Sequence, residues 1–214
     1  MIFERIPCGP LDANTYLLSD DDATLLAVDP ADADVVSNYC AAHGRTLTHI
    51  LLTHRHFDHI AGVAALCTQT HCRVCIHADD AKALSSPNVS LSTVMGQKQT
   101  PCSATDLLHD GDCIQACGLC LRVLHTAGHS AGGVTFVCDA HQFALTGDTL
   151  FADGFGRTDL PTGNTEALLR SIRETILSLP ESYRLYPGHG ADTTVAYERM
   201  HNPAMQGGFG AWYN

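Results

Sequence analysis

No stretch of this 214-residue chain approaches the roughly 18–20 consecutive apolar residues of a membrane-spanning helix. The first twenty residues carry Glu4, Arg5, Pro7 and Asp12, and lack the apolar centre of a signal peptide. Both absences point to the cytoplasm, where cysteines stay reduced. Positive charge is scarce too: 12 Lys+Arg against 23 Asp+Glu give a formal net charge of −11. That balance argues against nucleic acid and anionic membranes as partners. A small anionic substrate stays compatible, because bound divalent metals would make a site locally positive. Charged residues are only 16% of the chain and hydrophobic residues 45%, which suits a well-buried core. No internal repeat, low-complexity segment or linker interrupts the chain. One domain over residues 1–200 is expected, followed by a tail, 201–214, that docks on the domain or on a partner. Oligomeric state stays open.

Cysteine is not scarce, with ten in the chain. Cys72-x-x-Cys75 and Cys117-x-x-Cys120 have the spacing of a zinc knuckle or redox pair. Their surroundings favour a plainer role. Cys72 and Cys75 flank a strand pattern, Cys117 and Cys120 enclose Gly118 at an apparent hairpin, and free cysteine is a common small core residue.

Hydrophobic periodicity predicts strands at 14–18, 25–28, 47–52, 74–77, 112–115, 119–125, 133–138, 142–146 and 183–186. Asp32 can cap a helix with Val35, Val36, Tyr39 and Cys40 on one face, closed by Gly44. Further helices are expected at about 59–68, at 165–178 before Pro180, and near 194–200. Residues 85–105 are polar and poorly patterned, either a loop over the site or a surface excursion. Strands and helices alternate first and strands dominate later, which suggests two packed sheets with helices outside.

The chain is organised around Thr53-His54-Arg55-His56-Phe57-Asp58-His59, which follows the apolar run Ile50-Leu51-Leu52. Four of these seven residues are metal-ligand types. Residues two apart do not share a helix face, so His54 and His56 belong to an extended or turning segment. The pattern is therefore not the i, i+4 zinc motif of metalloproteases. Imidazole with carboxylate suits zinc, iron or manganese. His54 with His56, and Asp58 with His59, suggest two adjacent metals.

Three more stretches place a polar residue just after a strand: Thr126-Ala127-Gly128-His129-Ser130, Gly147-Asp148-Thr149 and Pro187-Gly188-His189-Gly190. Carboxyl ends of strands are where binding residues gather in open α/β folds. Alone, His129 reads equally as a turn residue, Asp148 as a helix cap and His189 as a loop histidine. Together with the His54–His59 stretch they read as metal ligands.

In that order and spacing, THRHFDH, TAGHS, GDTLF and YPGHG resemble the metallo-β-lactamase superfamily over about residues 1–200. The resemblance implies an α/β fold, a four-layer αββα sandwich of two mixed β-sheets flanked by helices, with a binuclear metal site at one edge. It implies that His54, His56 and His129 hold one metal, that Asp58, His59 and His189 hold the other, and that Asp148 bridges them. The remaining histidines (His43, His49, His71, His77, His109, His125, His141 and His201) match no ligand position and read as core, turn or surface residues.

Two divalent ions, zinc first with iron or manganese compatible, would generate a bridging hydroxide near neutral pH. Asp58 would then be catalytic, orienting that nucleophile while ligating the second metal. Gly147-Asp148-Thr149-Leu150-Phe151 and the compact length resemble the short bacterial glyoxalase II-like branch, which implies hydrolysis of an anionic thioester such as a hydroxyacylglutathione. The glutathione-gripping helical domain of the long form has no counterpart in this length. Arg157 is a candidate contact for an anionic substrate, with an ion pair to Asp159 as the alternative, and Phe151 is a candidate pocket residue. Gly156-Arg157-Thr158-Asp159 also resembles the persulfide dioxygenase branch, a mononuclear iron oxidoreductase using His54, His129 and Asp148. A lactonase of the same fold is a further alternative. A true β-lactamase is disfavoured by Asp148, where the main zinc lactamases use Cys.

Overall fold

Tyr16 and Leu18 pack on one face of their strand and Leu17 on the other, and all three are buried. Side chains alternate along a strand, so a strand apolar on both faces must lie between two layers. The computed structural model, which describes residues 1–206, satisfies this with two six-stranded sheets face to face. Strands β1 (Ile2–Cys8), β2 (Ala13–Ser19), β3 (Thr24–Val28), β4 (Thr46–Leu51), β5 (Arg73–His77) and β6 (Asp106–Leu108) form the first in sequential order. Its first three strands are antiparallel and β3 to β6 are parallel. The second contains β7 (Cys113–Ala116), β8 (Leu119–His125), β9 (Val134–Cys138), β10 (Phe143–Gly147), β13 (Arg184–Pro187) and β14 (Thr193–Thr194), in the order β14-β13-β10-β9-β8-β7. Between β10 and β13 lies a small hairpin of β11 (Leu150–Phe151) and β12 (Gly154–Phe155).

Three apolar clusters define four layers. Tyr16, Leu26, Leu51, Leu121, Phe136 and Leu145 lie between the sheets. Leu17, Leu25, Ile50 and Ile76 meet helices α1 (Ala33–His43) and α3 (Val63–Thr70) on the outer face of the first sheet. Val137, Ala144 and Leu185 meet α4 (Thr165–Arg170) and its continuation on the outer face of the second. Each fully buried Leu or Phe contributes about 1.5–3 kcal/mol relative to exposure. The four-layer mixed α/β architecture is the expected one.

Local chemistry sets the helix ends. The Asp32 carboxylate accepts from the Asp34 and Val35 backbone N–H groups, and Gly44 closes α1 in the left-handed region at φ 61°. The helix expected over 59–68 is instead two: α2 (Phe57–Ile60) and α3. Gly62 separates them, donating to the Pro30 carbonyl at 2.9 Å, and an added Cβ there would lie 2.7 Å from that oxygen. Asp58 and His59 therefore sit inside a helical turn rather than ahead of one. The 165–178 helix changes to a π turn over Ser171–Thr175 and a 3₁₀ turn over Ile176–Ser178, keeping Leu168, Leu169, Ile172 and Ile176 buried.

β1 and β6 were not foreseen. β1 is half-exposed and polar at Glu4 and Arg5, and β6 is only three residues long, directly after the unpatterned region 85–105. That region docks on α2, where Phe57 N–H donates to the Ser90 carbonyl at 3.0 Å. Cys72 and Cys75 belong to different apolar clusters, on opposite sides of the first sheet. The Cys120 sulfur faces that of Cys113 across the β7–β8 hairpin rather than that of Cys117. Among the described residues no cysteine joins a potential metal cluster. Of the tail, Asn202 and Ala204 are buried against the domain after α5 (Val195–His201), and residues 207–214 lie outside the described residues.

Candidate metal centre

All four stretches that carry the expected ligands leave the carboxyl ends of strands on one edge of the sandwich: β4 into Thr53–His59, β8 into His129, β10 into Asp148 and β13 into His189. The first turn is fixed by Asp29, which is 2% exposed and in the left-handed region at φ 49°. Its carboxylate accepts from Thr53 N at 2.7 Å, Thr53 Oγ1 at 2.5 Å and His59 Nδ1 at 3.0 Å. With Nδ1–H donating to Asp29, His59 turns its Nε2 to the centre. His129 is oriented the same way: Nδ1 donates to the Arg157 carbonyl at 2.8 Å.

A buried pair joins the first two stretches. Asp80 lies 4.0 Å from Arg55 Nε, and it accepts from Ser130 Oγ at 2.6 Å and Gly132 N at 3.1 Å. Arg55 in turn donates to the Pro161 carbonyl. The His189 turn is tied to β2, where Asn14 Nδ2 and Tyr16 Oη donate to the Pro187 carbonyl at 2.9 and 2.6 Å. Gly188 is required by close approach. A Cβ there would stand 2.1 Å from Asp148 Oδ1 and 2.7 Å from His59 Cε1.

These turns bring the seven residues expected as metal ligands together. His54, His56 and His129 form one trio and Asp58, His59 and His189 another. His56 Nδ1 is 2.8 Å from His129 Nε2, and His59 Nε2 is 3.3 Å from His189 Nε2. Asp58 Oδ2 lies 3.2 Å from His189 Nε2 and 3.5 Å from His59 Nε2. Asp148 stands between the trios, with Oδ1 3.5 Å from His59 Nε2 and Oδ2 3.5 Å from His129 Nε2. Ligands about 2.0–2.2 Å from a shared ion lie about 3.0–3.6 Å apart, so most of these spacings match common coordination. His54 Nε2 and Asp148 Oδ1 are also buried without hydrogen-bond partners, an arrangement a cation would satisfy.

Electrostatics prepare the same atoms. Burial and the surrounding imidazoles hold His54 well below the ordinary histidine range. Burial chiefly, with His129 and His59, pushes His56 down to about 2, and burial also lowers His129. Neutral imidazole is the metal-binding form. His59 is opposite: burial disfavours its charge, but Asp148, Asp58 and Asp29 outweigh that and raise it to about 10. Burial opposes ionisation of Asp58, yet His59 and the His189 hydrogen bond bring it down to about 2. The His189 side chain, 29% exposed, opens the centre to solvent, and the Phe151 ring lies 6.3 Å from its ring. The Arg157 guanidinium is paired with Asp159 through two contacts of 2.6 Å.

Asp29, Asp80, Asn14 and Tyr16 were not singled out in the sequence. Asp29-Pro30 reads as a strand end, and its signal is an acidic residue placed just before a proline at a strand terminus. Asp80 and Asn14 have no local signal, because their partners are distant in the chain.

With this geometry the chain belongs to the metallo-beta-lactamase superfamily, whose family model matches residues 8–189. Members of that superfamily are metal-dependent, and this chain is accordingly a metallo-hydrolase-family protein. It is 35% identical over 208 residues to the probable metallo-hydrolase YqgX of Bacillus subtilis strain 168, covering 97% of this chain and 99% of that protein. It is 31% identical over 210 residues to the hydroxyacylglutathione hydrolase GloC of Haemophilus influenzae, covering 96% and 98%. The crystal structure of BLEG-1 B3 metallo-beta-lactamase superposes with a TM-score of 0.91 at 35% identity, covering 96% of this chain and all of that one.

Proposed function

We propose that this protein is a binuclear metal-dependent hydrolase that cleaves an anionic thioester such as a hydroxyacylglutathione. The observation that carries this reading is Asp148, whose carboxylate lies 3.5 Å from His129 of the first trio and 3.5 and 3.7 Å from His59 and His189 of the second. His54, His56 and His129 would hold one ion, Asp58, His59 and His189 the other, and Asp148 both. Zinc fits this donor set, as do iron and manganese. Two such ions would supply a hydroxide nucleophile near neutral pH and a Lewis acid for the carbonyl.

The chain's own residues divide the remaining work. Asp58 keeps a charged oxygen at the centre and orients the nucleophile by accepting its hydrogen bond. Asp29 and the Arg157 carbonyl hold His59 and His129 in the tautomers that leave Nε2 available. Phe151, beside the exposed edge of His189, would line the acyl or thiol side of the pocket. Arg157 would meet substrate anionic groups by exchanging its Asp159 partner. Similarity to GloC over nearly the whole chain supports the thioester as substrate class.

Elemental analysis of the purified protein, run with an S-lactoylglutathione assay, tests the proposal. About two metals per chain, with turnover lost in His54→Ala and Asp148→Ala, is the expected result. About one iron, no thioester cleavage and oxygen uptake with glutathione persulfide would overturn it. Two metals without cleavage would overturn the substrate and leave the centre.

A further inference from the structure

The β11–β12 hairpin forms a two-stranded sheet of its own beside the metal centre. Its base is fixed in the core. Leu150 is fully buried, its carbonyl accepts from Thr146 Oγ1 at 2.9 Å, and the buried Gly156 packs on the Asp148 carbonyl. Arg157 follows, with the carbonyl that orients His129. The other end of the hairpin carries Phe151, whose ring stands 6.3 Å from that of His189.

That tip is held from the last helix of the domain. Glu198, in α5, is fully buried, and a buried carboxylate is costly unless it is hydrogen-bonded. Its Oε1 accepts from Thr193 Oγ1 at 2.6 Å, and its Oε2 accepts from Asn202 Nδ2 at 2.6 Å. Both oxygens also face the Asp153 backbone N–H, at 3.3 and 3.2 Å. Asp153 is an exposed turn residue in the left-handed region at φ 57°. The hairpin pairs Leu150 with Phe155 and Phe151 with Gly154, which leaves the Asp153 N–H to Glu198. Asn202, also fully buried, donates from Nδ2 to the Gly154 carbonyl at 2.9 Å. Hydrogen bonds to an ionised acceptor are about twice as strong as neutral ones.

We propose that Glu198 is a positioning residue for the substrate pocket: through Asp153 and Asn202 it fixes the tip of the hairpin, and with it the wall that Phe151 makes. This role rests on the thioesterase reading, in which Phe151 lines the acyl or thiol side. Base and tip are held by different groups. Loosening the tip therefore displaces Phe151, while Asp148 and the Arg157 carbonyl keep their places. A carboxylate suits this position where an amide does not. Its two oxygens accept from Thr193, Asn202 and Asp153 together, whereas glutamine would turn an NH₂ group toward a donor. The segment beyond His189 thus shapes substrate fit although it lies outside the expected ligand set.

Two measurements on the metal-loaded protein test this. In wild type, the Asp153 amide should exchange its hydrogen far more slowly than a free amide, although the residue is exposed. Glu198→Gln and Asn202→Ala, labelled with para-fluorophenylalanine, should each shift or broaden the Phe151 fluorine resonance, assigned with Phe151→Leu. Their KM for S-lactoylglutathione should rise by about tenfold, with kcat and metal content close to wild type, the pattern of lost substrate binding rather than lost chemistry. An unchanged Phe151 resonance and KM in a folded variant, with only a lower Tm, would reduce Glu198 to a structural brace and overturn the proposal. Free-amide exchange at Asp153 in wild type would also overturn it, and needs no variant to fold. Absence of thioester turnover in wild type would sink the thioesterase reading alone, because exchange and fluorine signals report the tip without turnover.

Discussion

Asp29 Oδ2 accepts from both Thr53 Oγ1, at 2.5 Å, and His59 Nδ1, at 3.0 Å, so one carboxylate sets the start of the histidine turn and the tautomer of a ring at its end. Replacing it with Asn puts an amide where two acceptors are needed. Asp29→Asn should weaken metal retention by about 10–100-fold, the usual effect of losing an outer partner of a ligating histidine. Metal content after dialysis against a weak chelator checks this. Unchanged retention would show that the ring is held by packing alone.

The Gly188 turn gives a sharper steric prediction. Gly188→Ala places a methyl group 2.1 Å from Asp148 Oδ1, and both backbone and carboxylate must shift. Turnover and metal content should fall together while far-ultraviolet circular dichroism stays native, because the clash is confined to the centre. A variant with full metal and full activity would mean that the turn relaxes freely.

Arg55 and Asp80 carry charges with almost no exposure. Asp80→Ala leaves Arg55 unpaired and removes the acceptor of Ser130 and Gly132. Breaking a buried pair from one side costs about 3–5 kcal/mol. Urea denaturation of the metal-free variant and wild type measures that loss independently of metal binding. A difference below about 1 kcal/mol would place the pair among the weak, solvent-screened ones.

Metal removal should make stability depend on pH in two directions. His59 is raised from its ordinary 6.5 to about 10, so its contribution to the metal-free fold is complete below about pH 6.5 and lost as pH rises through 10. Asp58 is lowered from 3.8 to about 2, so its contribution is present above about pH 4 and lost as pH falls through 2. His54, His56 and His129 are held below the ordinary histidine range, so keeping them neutral costs stability as pH falls below 6.5. The chelated protein should therefore melt highest at about pH 6.5. Reloading with metal near neutral pH should release a proton from His59, seen as acidification of a weakly buffered solution. Loading without proton release would show that His59 is already neutral.

The sandwich and its centre were largely legible because both rest on local patterns. Buried strands are short apolar runs, and each ligand sits beside a glycine or in the His54–His59 stretch. What escaped depends on distant partners. Glu4 and Arg5 make β1 look like surface, although its backbone pairs along its length with β2. The break at Gly62 comes from the Pro30 carbonyl, which no helical pattern reveals. Asp80 gains its role only when β5 and β8 converge, and so does the stacking of His77 on His125. Cys113 and Cys120 meet through hairpin register rather than through a two-residue spacing.

The proposed ligands come from turns after four different strands, and the partners of His59 range from Asp29 to His189. A ribosome delivers these parts in order, with the His189 turn last. An emerging chain can gather His54, His56 and His129 once β8 and its turn are available. The second trio waits for β13 to slide in beside β10. Contacts so far apart in the chain are slow to close, because loop entropy must be overcome before they contribute. Ion capture by the full set would thus mark the moment when both sheets have closed.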